Sequence, residues 1–286
     1  MKELLGKLTL TQVNILIGSI MADGEITKIY PGSRRKNNSY REHFSINQLA
    51  YREWKVSMLP QLFYLRSSKD YLVSKSNSLF TKLYPHFYNN EGRKILPDEL
   101  LPLCTLPEFI AVLYLDDGSL CISRRINVRK KHIYLTPHIC LYLQSYLKDD
   151  LEILQKHIDE NFNISFSLNK RKDGYGYILK LTKVNDSMRF LKLIKSAVEE
   201  CKLEYKTDWK KRFEIEKEKL QLQYPDFKIL SSDSERWKNY TEQEVKTIIT
   251  LKMADQTDKA IAQQLNRSYW SIVYKIRELR KDGRLE

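Results

Sequence analysis

Glycine, proline and cysteine are scarce in this sequence of 286 residues, which contains 9 Gly, 8 Pro and 4 Cys. So little Gly and Pro excludes a collagen-like chain and a flexible low-complexity chain. No two cysteines are spaced as Cys-x-x-Cys, so the sequence predicts neither a zinc ribbon nor a disulfide framework. We therefore expect buried free thiols at Cys104, Cys121, Cys140 and Cys201.

Long apolar runs are also absent. The run near the start, residues 15–21, is interrupted by Gly18 and Ser19. It falls far short of the roughly 20 residues that a membrane-spanning helix needs. Residues 1–3 include an acid, Glu3, and no apolar segment leads to a signal-peptide cleavage site. We therefore expect an intracellular protein with no membrane partner, in the cytoplasm of a bacterial host or in an organelle matrix.

Acidic residues are too few to balance the basic ones, since 49 Lys and Arg stand against 36 Asp and Glu, a formal net charge of +13. The surplus lies in four segments that together carry 19 Lys/Arg and 4 acids, namely residues 25–47, 66–82, 119–140 and 163–183. Parts of each have the Tyr, Ile, Phe and Leu content of strands. A single such segment could be a plain solvated face. Four segments that all carry a positive net charge predict basic sheets that bind a polyanion, and nucleic acid is the default candidate.

Two apolar helices of the sequence end in the same dipeptide, Asp-Gly. Residues 11–24 end in Asp23-Gly24, and residues 105–118 end in Asp117-Gly118. Each helix has the spacing of an N-terminal capping box, formed by Thr9 with Gln12 and by Thr105 with Glu108. After each helix the pattern predicts two strands, a helix, two strands and a helix. The sequence therefore contains an internal repeat of the form αββαββα.

An aspartate at a helix C-terminus is disfavoured by the macrodipole, so its double occurrence needs a reason. Gly18 and Ala22 form a small-x-x-x-small pair that lets two helices approach closely. If the two helices pack together, Asp23 and Asp117 converge, and paired carboxylates bind a divalent cation such as Mg²⁺. The alternative is that the two Asp-Gly ends only terminate buried helices.

Residues 16–24 (LIGSIMADG) and 110–118 (IAVLYLDDG) resemble the two LAGLIDADG motifs of single-chain homing endonucleases. The resemblance spans about residues 9–206 and implies an α+β fold, a pseudo-symmetric tandem core that forms a DNA-binding saddle. It implies metal ligation by Asp23 and Asp117. The expected metal site, for two or more Mg²⁺ or Mn²⁺ ions, consists of Asp23, Asp117 and the flanking residues Ala22, Gly24, Asp116 and Gly118. Val112 replaces the central glycine of the second motif, so we expect a looser or shifted helix contact there.

A lysine precedes the second motif in residues 92–97 (GRKILP), which are similar to the Lys-x-x-Pro of the omega-intron branch of this family. That resemblance implies that Lys94 is a catalytic residue. Residues 203–206 (LEYK) stand at the corresponding end of the second repeat and make Lys206 its partner. The alternative for Lys206 is an ordinary surface lysine. Either ammonium group could stabilise transition-state charge or help to deprotonate water.

The resemblance further implies a monomer that cuts both strands of a long asymmetric DNA target. Phosphate contacts would set the affinity and base contacts the sequence preference. Two other functions stay open, a non-catalytic DNA-binding regulator and a maturase that binds intron RNA. The expected DNA contacts of the two halves are Arg34, Arg35, Lys36, Tyr40, Arg41, Lys69, Lys75, Arg124, Arg125, Arg129, Lys130, Lys170, Arg171 and Lys172.

The chain length suits about two domains. The sequence pattern predicts a first half at residues 1–93, a second half at 94–221, a polar linker at 222–236 and a further domain at 237–286. In this last domain Thr241 with Glu244 forms a capping box, and Ser268 can cap a final helix. Residues 258–272 (DKAIAQQLNRSYWSI) resemble the helix-turn-helix of Myb/SANT-like domains, which implies DNA binding; a protein-interaction module is the alternative. The expected DNA contacts are Arg267, Tyr269, Ser271 and Lys275, and the expected core includes Trp237 and Trp270.

Overall fold

The fold was obtained as a computed structural model that describes residues 5–197, 201–232 and 240–285. Trp237 and part of the expected linker, residues 233–236, lie outside the described residues. The chain divides into two compact units, Met1–Asp233 and Ser234–Glu286.

The first unit contains the expected repeat, αββαββα, twice. This confirms the α+β tandem core that the sequence predicts. The first repeat consists of α1 (Leu10–Met21), β1 (Glu25–Thr27), β2 (Ser39–His43), α2 (Leu49–Met58), β3 (Phe63–Leu65), β4 (Tyr71–Ser74) and α3 (Ser78–Phe87). The second consists of α4 (Pro107–Asp117), β5 (Gly118–Asn127), β6 (His132–Leu141), α5 (Lys148–Phe162), β7 (Ser167–Lys170), β8 (Tyr177–Leu181) and α6 (Val184–Ala197).

Each repeat forms one sheet with the same strand order. The first sheet runs β1-β2-β4-β3 and the second β5-β6-β8-β7, with antiparallel neighbours throughout. Side chains alternate between the two faces, as strand geometry requires. The inner faces carry buried residues such as Ile26, Leu72, Ile133 and Ile139. The outer faces therefore hold the polar and basic residues of the same strands.

Helices α1 and α4 pack against each other at the glycine of the first motif. A Cβ atom added to Gly18 would lie 3.1 Å from the Phe109 carbonyl oxygen and 3.3 Å from Val112 Cβ. The valine that replaces the second central glycine therefore packs on the first one. One glycine per pair is enough for close approach, because Val112 fills the space that Gly18 leaves.

The capping box of Thr9 and Gln12 is confirmed, with the Thr9 hydroxyl accepting from the Gln12 amide at 3.2 Å. The one expected at Thr105 and Glu108 is wrong, because α4 begins at Pro107 and no side chain of its own caps it. Asn14 of α1 takes over this role. Its Oδ1 accepts from the Leu106 amide at 3.0 Å, and its Nδ2 donates to the Leu103 carbonyl at 2.9 Å.

The first unit continues beyond the second repeat. Two helices follow, α7 (Glu204–Thr207) and α8 (Trp209–Gln223), and then strand β9 (Lys228–Ser231) pairs in parallel with β6. The expectation of a linker from residue 222 onward is therefore wrong for this strand. The apolar residue Ile229 is buried there, and Trp209 Nε1 donates to Ser231 Oγ at 3.1 Å.

Within residues 240–285, the second unit contains three helices, α9 (Glu242–Met253), α10 (Asp258–Gln264) and α11 (Tyr269–Lys281). The capping box of Thr241 with Glu244 and the cap by Ser268 are both confirmed. Trp270 is 61% exposed, so its expected place in the core is wrong. The core is aliphatic instead and consists of Val245, Ile248, Ile261, Ala262, Ile272, Ile276 and Leu279.

Among the described residues, no helix combines the length and the apolar content needed to cross a bilayer.

Candidate active site

The final glycine of each motif allows the chain to turn directly after the aspartate. A Cβ atom added to Gly24 would lie 2.3 Å from the Tyr40 hydroxyl and 2.4 Å from the Ser19 carbonyl oxygen. At Gly118 it would lie 2.2 Å from Tyr114 Cδ2. No side chain fits at either position. The two turns therefore place Asp23 and Asp117 at matching ends of α1 and α4.

The two aspartates lie in one electrostatic environment. Burial raises the pKa of Asp117 to about 7, and the negative charges of Asp23 and Asp116 add to the effect. Burial also raises the pKa of Asp23, followed by the charge of Asp116. Each carboxylate raises the pKa of the other because their negative charges repel. A cation bound between them would remove this repulsion and favour the ionised form of both. This arrangement supports the convergence that the helix pattern predicts.

The two expected lysines occupy equivalent places in the halves. Lys94 Nζ donates to the Ala22 carbonyl at 2.5 Å, and Lys206 Nζ donates to the Leu115 carbonyl at 2.6 Å. Each amine thus binds a carbonyl oxygen at the end of its own motif helix, where the macrodipole favours positive charge. Burial lowers the pKa of both lysines, and nearby aspartates partly oppose it. Lys206 is half-buried, unlike an ordinary surface lysine.

A buried arginine, which the sequence patterns do not reveal, ties Asp23 to the protein interior. Arg52 of α2 has a fully buried side chain, and its Nη2 lies 3.0 Å from Asp23 Oδ2. Its Nε lies 2.5 Å from Glu42 Oε1, and its Nη1 lies 3.2 Å from Asp116 Oδ1. Burial lowers the pKa of Arg52, but the charges of Asp116 and Glu42 outweigh burial and raise it overall.

Lys55, one turn further along α2, completes this cluster. Its Nζ lies 3.0 Å from Glu42 Oε1 and 2.8 Å from Asp116 Oδ2. The Tyr40 hydroxyl also donates to Glu42. Burial raises the pKa of Glu42, and the charge of Lys55 opposes it. We call Arg52, Lys55, Glu42 and Asp116 the buried ion cluster. The only signal in the sequence is a pair of basic residues spaced i,i+3, each directly after an aromatic residue, Arg52 after Tyr51 and Lys55 after Trp54, which is too common to be decisive.

The site has oxygen donors that suit Mg²⁺ or Mn²⁺, which prefer carboxylate ligands. Asp23, Glu42 and Asp116 each place an oxygen within 4.8 Å of the others. Arg52 and Lys55 neutralise Glu42 and Asp116, which are fully buried, and Arg52 also pairs with Asp23, which is not. Asp23 keeps 33% of its side chain exposed, and the favourable charges around Asp117 come from Lys94 and Lys206. These two aspartates are therefore the carboxylates that fit a divalent cation.

The outer face of the first sheet forms a basic and aromatic groove of about 650 Å³. The basic and aromatic residues of the groove that were not expected from sequence are Lys28, Tyr30, Tyr64, Arg66 and Tyr71. The groove also contains the expected contacts Arg35 and Arg41. Of the other expected DNA contacts in the two halves, those with exposed side chains are Arg34, Lys36, Lys69, Lys75, Arg124, Arg125, Arg129, Lys130, Lys170 and Lys172.

Some of the expected DNA contacts have other roles. Tyr40 is 1% exposed and stacks on Phe63 at 4.6 Å, so its assignment as a DNA contact is wrong. It lies on the inner face of the sheet because it alternates with Arg41. Arg171 is half-buried and pairs with Asp173.

In the second unit, several expected contacts are bound internally. Arg267 pairs with Glu244 at 2.9 Å, Lys275 pairs with Glu278 at 2.5 Å, and the Ser271 hydroxyl lies 2.8 Å from the Tyr240 hydroxyl. Tyr269 is exposed as expected. Two further aromatic side chains of α11 are exposed beside it, Trp270 and Tyr274.

Comparisons with known proteins agree with this geometry. The sequence profile of the LAGLIDADG DNA endonuclease family matches residues 13–189. The chain is similar to a solved structure of the homing endonuclease I-WcaI bound to its DNA recognition sequence, at 22% identity and a TM-score of 0.51, over 72% of this chain and 91% of that one. At this identity the likeness shows the fold.

Two further solved structures are similar at lower scores. One is the LAGLIDADG homing endonuclease I-GzeII in complex with its DNA target, with 14% identity, a TM-score of 0.44, and coverage of 75% of this chain and 93% of that one. The other is full-length DUF199/WhiA from Thermatoga maritima, with 15% identity, a TM-score of 0.36, and coverage of 97% and 93%. No curated protein matches the sequence significantly.

Proposed function

Because the chain belongs to the LAGLIDADG DNA endonuclease family, we propose that it is a homing endonuclease, a monomer that hydrolyses both strands of a long asymmetric DNA target with a divalent cation. One observation carries the proposal. Each motif helix ends in an aspartate, and a half-buried lysine donates to a carbonyl at each helix end, Lys94 to Ala22 and Lys206 to Leu115. The two helices pack together, and the charge of Lys94 acts more strongly on Asp117 than on Asp23, while that of Lys206 acts more strongly on Asp23 than on Asp117. The two helix ends together present two acids and two amines, which is one of each for every DNA strand that is cut.

In this proposal the aspartates bind the cation and the lysines stabilise negative charge. Asp23 and Asp117 would hold the cation with their carboxylates, while Ala22, Gly24 and Gly118 form the turns next to them. A bound divalent cation neutralises phosphate charge and makes water more acidic. Lys94 and Lys206, which are fixed by their helix carbonyls, place positive charge beside the scissile phosphates and stabilise the transition state. Asp116 stays in the buried ion cluster and positions Arg52.

The unequal sheets explain why the target would be asymmetric. The first sheet carries Arg35, Arg41, Tyr64 and Arg66 on its outer groove. The second carries Arg125 on its outer face and exposed basic side chains at the β5–β6 and β7–β8 turns. Since base contacts set sequence choice and these side chains differ, the two halves would read different half-sites.

We assign the second unit a supporting role in target binding. It has the capped three-helix arrangement and the exposed Tyr269, Trp270 and Tyr274 on its last helix. Removal of residues 234–286 keeps β9 intact, so the core should retain cleavage while its target affinity falls by about tenfold or more. Equal affinity of the shortened chain, measured by equilibrium binding to the same duplex, would show that this unit binds something other than DNA.

Cleavage selection tests the proposed activity directly. The full chain is incubated with a randomised duplex library in Mg²⁺, and the cut ends are sequenced. We expect one long asymmetric site with a fixed cut position. Asp23→Asn and Asp117→Asn should each reduce cutting by at least about 10³-fold while DNA affinity changes little, because only cation ligation is lost. Asp98→Asn, at an exposed acid, is the matched control. Full cutting by either site variant would refute the assignment.

A further inference from the structure

The outer face of the second sheet carries two thiols and an imidazole at one point. Cys121, His138 and Cys140 each place a ligand atom within 4.8 Å of the others. Cys121 of β5 lies opposite His138 of β6, and Cys140 lies two residues further along β6. Cys140 is 2% exposed, and the other two residues are half-buried. The expectation that all four cysteines are buried thiols is therefore wrong for Cys121.

The same positions in the first half carry different chemistry. Counted from Asp23 and Asp117 along the paired strands, Cys121, His138 and Cys140 correspond to Thr27, Ser39 and Arg41. In the first half, Arg35 donates to the hydroxyls of Thr27 and Ser39 at 3.1 and 3.0 Å. Two hydroxyls and a guanidinium in one sheet are thus replaced by two thiols and an imidazole in the other.

We propose that Cys121, His138 and Cys140 form a binding site for a soft divalent cation of the Zn²⁺ class. This site is separate from the one at Asp23 and Asp117. Zinc bonds of about 2.3 Å to sulfur and about 2.0 Å to nitrogen place tetrahedral ligand atoms roughly 3.5–4 Å apart. The observed spacing allows this with small side-chain rotations. Two thiolates and one imidazole leave a fourth position for a solvent molecule.

The surroundings of the site favour metal ligation. Ser123 Oγ lies 3.3 Å from His138 Nδ1, so one ring nitrogen has a partner that holds the imidazole. A metal-bound histidine typically uses its second nitrogen in this way. The Tyr142 hydroxyl lies 3.7 Å from Cys121 Sγ. The hydrogen bond with Cys121 and burial raise the pKa of the Cys140 thiol in the absence of metal, and Lys180, opposite Cys140 on β8, partly opposes them.

The strand register disfavours a direct disulfide between the two thiols. Cys121 and Cys140 are diagonal neighbours across the β5–β6 pair, and diagonal Cα atoms are about 7–8 Å apart in antiparallel sheets. A disulfide needs Cα atoms within about 6.8 Å. A cation bridges the longer gap without backbone movement, because it adds two bonds between the sulfur atoms.

The cation classes of the two sites should not interchange. Mg²⁺ prefers carboxylate and water oxygens and binds thiolates poorly, whereas Zn²⁺ accepts sulfur and nitrogen. Occupation of the Cys121 site would join β5 to β6 four residues beyond Asp117. The expected result is a more stable second sheet, whether or not the protein cuts DNA.

Cobalt binding to the reduced, metal-stripped full chain tests the site. We expect one equivalent of Co²⁺ to give thiolate-to-cobalt charge-transfer absorption, which excess Mg²⁺ leaves in place and Zn²⁺ abolishes. The double variant Cys121→Ser/Cys140→Ser and the variant His138→Gln should lose the signal or bind at least about 100-fold more weakly. Cys104→Ser, His132→Gln and Asp117→Asn are controls that should keep it. A signal that survives in the double variant, or no thiolate signal in the native chain, would overturn the proposal.

A second measurement needs no variant and therefore does not depend on folding of the mutants. Zn²⁺ should slow alkylation of the half-buried Cys121 by iodoacetamide by about tenfold or more, because a bound thiolate is a poor nucleophile. Peptide mass mapping identifies the protected residues. Equal alkylation with and without Zn²⁺, or air oxidation that removes two hydrogens and links Cys121 to Cys140, would contradict the proposal.

Discussion

The two halves of the first unit have the same chain path but different interiors beneath their aspartates. In the first half, Glu42 is buried on β2 and binds Arg52 and Lys55. The register places Leu141 of β6 at the equivalent position in the second half. There the inner face is apolar, and Tyr114 packs edge-on against Phe190 at 5.1 Å.

This difference changes the state of the two acids. Asp23 forms an ion pair with Arg52. For Asp117, the positive charges that favour the ionised carboxylate come from Lys94 and Lys206. A tandem repeat can therefore keep matched aspartate positions while one half supplies the buried charged groups that contact both halves. The buried ion cluster joins the halves, because Arg52 and Lys55 of the first bind Asp116 of the second.

Removal of the arginine at the centre of the cluster should have the largest effect. Arg52→Met leaves Glu42 and Asp116 with one cation between them in a buried site, which should cost about 3–5 kcal/mol of unfolding free energy. Urea unfolding monitored by circular dichroism measures it. Arg41→Met is the matched control, because its pair with Glu25 is exposed and contributes at most about 1 kcal/mol. Similar losses in both variants would contradict a structural role for the cluster.

The lysine pair tests whether the halves work as equivalents. Lys94→Met and Lys206→Met should each slow cutting about 100-fold, with the loss confined to one strand and to opposite strands in the two variants. Strand-resolved cleavage of an end-labelled target duplex measures this. Lys219→Met, at an exposed position of α8, should cut normally. If both lysine variants impair the same strand, the assignment of one half to each strand is incorrect.

The raised pKa of Asp117 predicts a smaller, pH-dependent effect. Folding raises the pKa of Asp117 from 3.8 to about 7, so the folded chain binds a proton there more tightly than the unfolded chain does. The resulting contribution to the free energy of unfolding is fully present below pH 3.8 and is lost as the pH rises through about 7. The charged groups around it are Asp23, Asp116, Lys94 and Lys206.

Asp117→Asn removes this dependence on pH. In metal-free buffer the variant should gain about 1–2 kcal/mol of stability over the native chain between pH 5 and pH 8, a value reduced because Asp117 is only partly buried. Thermal unfolding across this range measures the gain, and Mg²⁺ should reduce it above pH 7. A pH-independent difference would show that Asp117 does not titrate near 7.

Repetition and local chemistry made much of this molecule predictable. The duplicated apolar helices, the Asp-Gly ends and the capping spacings at Thr9, Thr241 and Ser268 are short-range features, and the structure contains them. The failures depend on tertiary contacts. Asn14 caps α4 across the helix pair, and β9 joins the sheet beside β6, as no local pattern could show.

In the candidate site, too, the residues in local motifs were predictable and the residues that depend on tertiary contacts were not. Asp23, Asp117 and Lys94 belong to motifs, so the sequence identifies them. Arg52 and Glu42 carry charges into the interior, and a charge in an apolar helix or strand normally predicts a solvated face. Their role depends on mutual neutralisation, which only the folded chain provides. The prediction of Tyr40 as a DNA contact was wrong because strand alternation places this side chain on the buried face of the sheet.

Cation affinity across a double-mutant cycle tests the central claim that Asp23 and Asp117 share one centre. Mn²⁺ binding is measured by calorimetry above pH 8 for the native chain, Asp23→Asn, Asp117→Asn and the double variant, all in a Cys121→Ser/Cys140→Ser background. A shared centre predicts that either single change removes nearly as much binding free energy as both together. Additive losses would mean two independent sites and would contradict the account.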